Sequence, residues 1–384
     1  MAKLITGIIV IAVVIIGILA ISDRVGTEGD VIKLGVIQPL TGDAAQYGES
    51  ENRAIQIAIE EINAAGGIDG RTIELITEDG KCDPQVGGTA AQKLVNVDGV
   101  KIIIGGACSG ETLAAAEITE PARVILISPS ASSPKVTEAG DFVFRTYPSD
   151  ALAGRIAAKY SYQNLNARKA AVFTELTDYA QGLREVYKTA FTELGGEIVS
   201  DETYTTGDAD FRTQVLKIKT AKPDVIYFVP QTATPGITFV KQLRENKVTA
   251  KLVTAEVLLD RQVVKDNAAV LEGVIGVEPA VDWDNNPKAN AFREAHRAKY
   301  AGADPGAFSA NAYDAVYLIK EALEATIADG DIDTVKIRDW LYQVKNWPGS
   351  VGPLTIDANG DPIMGENVRK IVGGEVTDLG PYTP

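Results

Sequence analysis

Two short apolar runs, Ile102–Ile104 and Val124–Ile127, each break off in a turn of small, hydroxyl-rich residues, and they constrain the fold more than any other feature. The first reads Ile102-Ile-Ile-Gly105-Gly-Ala-Cys-Ser109-Gly-Glu-Thr and the second Val124-Ile-Leu-Ile-Ser-Pro129-Ser-Ala-Ser132-Ser-Pro134. Runs with so few polar residues fit strands covered on both faces, as in parallel sheets. Parallel neighbours need a helical crossover, and Glu111–Ala122 between them supplies an amphipathic one. Ligands of open α/β sheets bind just beyond the carboxyl ends of the strands. The first expectation is therefore that these two turns hold a small anionic group.

The same alternation runs through the chain. Strand Val31–Ile37 is followed by a helix over Glu49–Ala65, whose Ala54, Ile55, Ala58, Ile59 and Ile62 recur at helical spacing. Gly66-Gly-Ile-Asp-Gly70 turns the chain into strand Ile73–Thr77, and helix Pro84–Val97 leads to Ile102. Phe142–Arg145 closes this series. A second begins at strand Ala170–Phe173, with helix Ala180–Leu194, strand Glu197–Ser200, helix Phe211–Ala221 and strand Val225–Val229. Helix Gly236–Glu245 and strands Leu252–Thr254 and Val274–Val277 follow. Two such series predict an α/β chain of two doubly wound parallel-sheet lobes. Helices at 287–300, 309–328 and 334–345 and strand-like pieces after Gly352 are too few for a third core. They are expected to complete the first lobe and then the second. The predicted division is 31–148 with 279–351, and 149–278 with 352–384. Crossings near Tyr147–Asp150, Val277–Pro279 and Ser350–Pro353 would form a multi-strand hinge around a ligand cleft.

At 384 residues the chain is long enough for two domains. A net charge of −15 argues against a nucleic-acid partner, because phosphate binding needs clustered Lys and Arg. The one histidine, His296, lies on a charged helical segment and is expected to be a solvated surface residue. A histidine-based triad or multi-histidine metal site is excluded with it, and no catalytic residue, metal or cofactor is expected. The two cysteines, Cys82 and Cys108, read as one disulfide in an exported protein and as two unrelated thiols in a cytosolic one. Export is favoured by residues 1–30, where Lys3 precedes the apolar run Leu4–Ile21, Ala20-x-Ser22 offers a cleavage site, and a spacer follows. This segment is expected to be a signal peptide or an N-terminal membrane anchor, without the cysteine of a lipoprotein.

The turn at Gly105–Thr112 matches phosphate-loop spacing except that Glu111 stands where a lysine should meet the phosphates. A carboxylate there disfavours a nucleotide and leaves a glycine-rich helix start, expected to turn its free amides outward, with Ser109 adding a hydroxyl. Ser130, Ala131 and Ser132 form a second turn rich in amides and hydroxyls. Glu256 follows the Leu252–Thr254 strand in an apolar context, which calls for a cationic partner. Tyr47, Tyr179, Gln231 and Thr232 occupy loops beyond other predicted strands.

Phrases in order along the chain resemble the type I periplasmic binding proteins, specifically the leucine/isoleucine/valine-binding family of branched-chain amino acid ABC importers. They are Gly35-Val-Ile-Gln-Pro-Leu-Thr-Gly42, Gln46-Tyr-Gly48, Glu61-Ile-Asn-Ala-Ala-Gly-Gly-Ile-Asp-Gly70 and Asp79-Gly-Lys-Cys-Asp-Pro84, then Ile104–Ser109, Ile127–Ser132 and Asp178–Leu183. The resemblance covers residues 31 to 384 and implies roles. Ser109 and the Ser132 amide would bind the ligand α-carboxylate. The Ser130 carbonyl, Ser132 hydroxyl and Glu256 carboxylate would bind its α-ammonium. Ala131 lies between these serines and counts with the ligand-binding set. Tyr179 would close over the ligand, Tyr47 would lie near its side chain, and Cys82–Cys108 would be a disulfide stapling the Ser109 turn. Gln231 stands where relatives carry an aromatic, which implies a more polar side-chain pocket. The implied protein is a monomer that delivers an amino acid to membrane permease subunits. The alternatives are a receptor for a short amide, urea-like or aromatic-acid solute, or a membrane-tethered sensor.

Overall fold

A computed structural model describes residues 31–382 apart from 282–284 and 328–330. The expected leader or anchor at 1–30 lies outside these residues. The chain opens with β1 (Val31–Gln38), α1 (Ala45–Ala64), β2 (Thr72–Asp79), α2 (Pro84–Asn96), β3 (Ile102–Gly105), α3 (Ser109–Thr119), β4 (Ile125–Ser128) and β5 (Val143–Arg145). These strands form an all-parallel sheet in the order β2-β1-β3-β4-β5. The unbroken apolar run at β3 serves two faces. Ile102 and Ile104 enter one core with α1, while Ile103 enters another with Ala90, Leu94 and Ala115. Period-two pleating divides the run, and helices cover both sides.

The second series is α4 (Asp150–Gln163), β6 (Lys169–Glu175), α5 (Asp178–Glu193), β7 (Glu197–Tyr204), α6 (Arg212–Ala221), β8 (Val225–Val229), α7 (Ala233–Glu245) and β9 (Lys251–Thr254). Short helices α8 (Arg261–Asp266) and α9 (Ala268–Leu271) precede β10 (Ile275–Pro279). Here too the apolar strands alternate: Ala170 and Val172 face one core, Ala171 and Phe173 the other. Helix α4 has no counterpart in the sequence reading. Its buried face is Ala153, Ile156 and Ala157, mostly alanines, which give little apolar contrast.

Helices α10 (Pro287–Lys299), α11 (Ser309–Thr326) and α12 (Thr334–Leu341) then pack on the first sheet, α11 against α1, β3 and β4. A two-stranded piece, β11 (Trp347–Pro348) with β12 (Pro353–Leu354), follows, and β13 (Glu366–Val372) and β14 (Glu375–Tyr382) end the chain. The second sheet runs β14-β13-β10-β9-β8-β6-β7, parallel from β10 to β7 and antiparallel at β13 and β14. Its edge is therefore mixed rather than wholly parallel.

Two expectations need correction. The third crossing does not lie at Ser350–Pro353. Leu354 and Ile356 still belong to the first core, and Arg145 donates its backbone amide to Gly360 O at 3.1 Å. Arg145 is fully buried and ion-paired to Asp361 at 2.5 Å, so its guanidinium, deprived of water, holds the returning chain on the first lobe as far as Asp361. His296 is also not a solvated residue. It is 1% exposed, on the same face of α10 as Phe292, with Nδ1 2.9 Å from Ala303 O. Four-residue spacing from Phe292 to His296 to Tyr300 makes one ring stripe on that helix.

Candidate functional site

The first lobe positions its polar turns where the strands end. Asp79, at the end of β2, accepts from the Leu40 amide at 2.9 Å and from the Thr41 hydroxyl at 2.5 Å, anchoring the loop after β1. After β3 the chain turns sharply into α3, and Glu111 folds back under the turn. Its Oε2 accepts from the Ala107 amide at 2.9 Å and the Cys108 amide at 3.3 Å, and its Oε1 from the Cys82 amide at 3.3 Å. Glycine makes this possible. A Cβ on Gly80 would collide with Glu111 Oε1, and one on Gly106 would collide with Oε2. The expectation that these amides face outward is corrected: the turn holds its own carboxylate. Burial pushes the Glu111 carboxyl up to about 7, with the three amides pulling the other way. What α3 offers outward is the Ser109 hydroxyl and the first-turn amides of Ser109 and Gly110, which have no acceptor within the helix.

The turn after β4 is held from behind. Arg145 donates to the carbonyls of Ala131 at 3.2 Å and Ser133 at 3.1 Å, to Thr137 Oγ1 at 2.7 Å and to Asp361. Ser128 Oγ accepts the Ala131 amide at 2.9 Å. Both backbone groups of Ala131 are thus engaged inside the lobe, and Ala131 does not line the cavity. The Ser132 amide and the Ser130 carbonyl make no hydrogen bond with other described residues. The Ser132 hydroxyl donates to Asp150 Oδ2 at 2.7 Å, while the Asp150 amide donates to Ser132 O at 2.8 Å. The Ser130 hydroxyl donates to Glu51 Oε1 at 2.6 Å, and burial pushes Glu51 up to about 8. Ser109 Oγ accepts the Ser133 amide at 3.1 Å, which ties the two turns together.

The second lobe brings its groups from α5, the loop after β8 and the loop after β9. Tyr179, in the first turn of α5, donates its hydroxyl to Glu256 Oε1 at 3.0 Å. Burial pushes Glu256 up to about 7. Asp150 is pushed well above the usual range, by burial first and then by the Glu256 carboxylate. Glu366 is raised by burial and by both of these neighbours. One end of the site therefore concentrates carboxyls whose ionisation is held back by burial and by one another, and the other presents amides and hydroxyls.

The two lobes line a cleft, part of it open to solvent, with Tyr47, Ala107, Cys108, Ser109, Ser130, Ser132, Tyr179, Gln231, Glu256, Val257 and Phe308 in its wall. Seven of the eight residues expected from the sequence meet there, Ala131 being the exception. Cys82 and Cys108 form a disulfide with a Cα–Cα distance of 5.2 Å, and Cys108 itself forms part of the wall. The sequence reading missed Ala107, Val257 and Phe308. Phe308 has a left-handed φ of 61° and packs edge-on to Tyr47 at 5.6 Å and Tyr147 at 5.2 Å. Its signal was its place just before the predicted helix at Ser309, where helix starts line α/β clefts. The lobes touch around the cavity: Lys135 pairs with Asp178 at 2.8 Å, and a Cβ on Gly182 would come 2.8 Å from Pro134 Cδ. This is a closed cleft. Among the described residues no group suits a metal ion, and no helix is long and apolar enough to cross a membrane.

Comparison with known proteins agrees with this architecture. The periplasmic binding protein family profile matches residues 31–374. The leucine-, isoleucine-, valine-, threonine- and alanine-binding protein of Pseudomonas aeruginosa is 30% identical over 334 residues, 86% of this chain and 87% of that one. A leucine-binding protein LivK of Thermotoga maritima superposes with a TM-score of 0.83 at 29% identity, covering 92% of this chain and 99% of that one. LivJ of Streptococcus pneumoniae, a branched-chain amino acid transporter substrate-binding protein solved with isoleucine, gives 0.81 at 30% identity, covering 92% and 100%.

Proposed function

The chain belongs to the periplasmic binding protein family, and from that premise we propose that it captures a free α-amino acid outside the cytoplasm and hands it to the permease of an ABC importer. The observation that carries this reading is the division of one cavity between two lobes. Ser109 and the unpaired Ser132 amide stand on one side, and Glu256 with Tyr179 on the other. The Ser109 hydroxyl, the Ser132 amide and the helix start would take the α-carboxylate. The Ser130 carbonyl, the Ser132 oxygen and Glu256 would take the α-ammonium, which would stabilise the ionised Glu256 carboxylate. Because the Ser132 proton is given to Asp150, its remaining lone pairs are free to accept. The contacts come from both lobes, so a ligand stabilises the closed form through contacts absent in an open one.

The lobes are proposed to comprise 31–148 with 279–361 and 149–278 with 366–384, with the third hinge segment at 362–365. Residues 1–30 are proposed to be the export signal or membrane anchor. Delivery rather than turnover is the role, and a single chain suffices for it.

Mass spectrometry of ligand released from the purified, denatured protein, followed by calorimetry with that compound and a panel of amino acids, tests the reading. Bound amino acid, lost on Glu256→Gln substitution, supports it. A neutral amide or an aromatic acid whose binding survives Glu256→Gln would replace it with the solute-receptor alternative.

A further inference from the structure

Of the residues around the cavity, Gln231 alone offers a side-chain amide. It sits in the loop between β8 and α7, and its backbone is pinned. Glu175, 2% exposed at the end of β6, accepts the Gln231 amide through Oε2 at 2.8 Å. The same carboxylate accepts the Tyr204 hydroxyl at 2.8 Å and the Thr206 hydroxyl at 2.6 Å. Three donors thus fix Glu175, and Glu175 fixes the point from which the Gln231 side chain starts. That side chain reaches across the cleft to the first lobe, where Nε2 lies 3.9 Å from Cys108 Sγ. A sulfur at that distance is a poor acceptor, and Gln231 Oε1 accepts no hydrogen bond from the described residues.

An amide held at a closing wall with only a weak sulfur acceptor has a consequence for ligand choice. An aliphatic ligand side chain would displace water from it and leave both its donor and its acceptor unpaired, whereas a hydroxyl or amide would satisfy one or both. Sites that hydrogen-bond a substrate group discriminate far more strongly than sites that merely fit a methyl group. Val257 and Phe308 elsewhere in the cavity wall are apolar, so the favoured side chain is short and only locally polar.

We propose that Gln231, positioned by Glu175, is the specificity-determining residue of this site, and that the ligand is an amino acid with a short, neutral, hydrogen-bonding side chain of the threonine, serine or asparagine kind. The inference rests on the amino-acid reading above.

Threonine and valine are the decisive pair because they share shape and differ in one hydroxyl. Alanine reports the α-amino and α-carboxylate contacts alone. Calorimetry on the full exported chain should give threonine at least tenfold tighter binding than valine. Gln231→Leu should bring that ratio to one or below, whatever it does to alanine affinity. Glu175→Gln keeps one acceptor oxygen but turns a donor toward donors; it should lower the ratio partway, with alanine unchanged. Thermal denaturation of each variant separates these effects from misfolding. Valine binding as tightly as threonine in the unmodified chain overturns the inference while alanine binding preserves the amino-acid reading. A ratio unmoved by Gln231→Leu also overturns it, and one unmoved by Glu175→Gln removes the positioning role. Failure of all three amino acids to bind overturns the inference, and the released ligand and the wider amino-acid panel then decide the amino-acid reading.

Discussion

Glu111 accepts the backbone amide of Ala107 at 2.9 Å, four residues back along its own turn. A phosphate loop would use such amides on a ligand and place a lysine at this position. Here the acidic side chain fills the nest itself, while Gly80 and Gly106 leave room for it. Replacing the carboxylate by an amide, Glu111→Gln, turns a donor toward backbone donors. The expected loss is about 1–3 kcal/mol of unfolding free energy, measured by denaturant titration. Ligand affinity should fall too, because the Ser109 helix start is carried by this turn. A variant as stable as the parent would mean that the three amides find other partners.

Buried carboxyls set the pH response: Glu51, raised to about 8, Glu111 and Glu256, each raised to about 7, and Asp150 and Glu366, raised well above the usual range, all by burial first. In the unfolded chain the glutamates among them titrate near 4.5, so between that pH and about 8 the folded chain binds more protons. Stability of the ligand-free protein should therefore fall as pH rises from 5 to 8. Melting temperatures across that range measure it, and a rise with pH would contradict it.

Ligand affinity should move the opposite way. An α-ammonium needs the Glu256 carboxylate ionised, so binding releases a proton below about 7. Affinity is expected to drop by up to about tenfold per pH unit from 7 to 5. Calorimetry in buffers of different ionisation enthalpy counts the released proton. No proton release at pH 6 would exclude Glu256 as the ammonium partner.

Gly182 lets the lobes meet, since a Cβ there would lie 2.8 Å from Pro134 Cδ and 2.9 Å from Ser133 Oγ. Gly182→Leu should wedge the cleft open without disturbing either core. Ligand affinity is expected to fall at least tenfold, with an increased radius of gyration in ligand-saturated scattering. Unchanged affinity would show that closure at this edge is dispensable.

Arg145 and Asp361 join β5 to the returning chain across 216 residues. Asp361→Ala leaves a guanidinium buried without its counter-charge and should cost about 3–5 kcal/mol. Because Arg145 also holds the Ala131 and Ser133 carbonyls, the Ser132 turn should loosen and ligand affinity fall with stability. A fully stable Asp361→Ala chain would show that water replaces the carboxylate.

Strand positions and most helices were legible in the sequence because pleat and helix periods act over a few residues, as at Ile102–Ile104 and in α1. The polar turns were legible for the same reason: a strand that ends in Gly, Ser and Pro announces a loop at the sheet's carboxyl edge. Helix α4 was not, since an alanine face carries little hydropathy contrast. His296 was misread because charged neighbours dominate its surroundings in sequence, whereas its own face of α10 carries Phe292 and Tyr300.

By itself, then, the sequence determined two doubly wound α/β lobes and the two serine-rich turns, both products of local patterning. Tertiary structure alone decided where charge and backbone hydrogen bonds go. It turned Glu111 inward, paired Arg145 with Asp361 and set Phe308 between two tyrosines. A buried charge or amide must find a partner wherever the fold brings one, and that distance is set in space rather than along the chain.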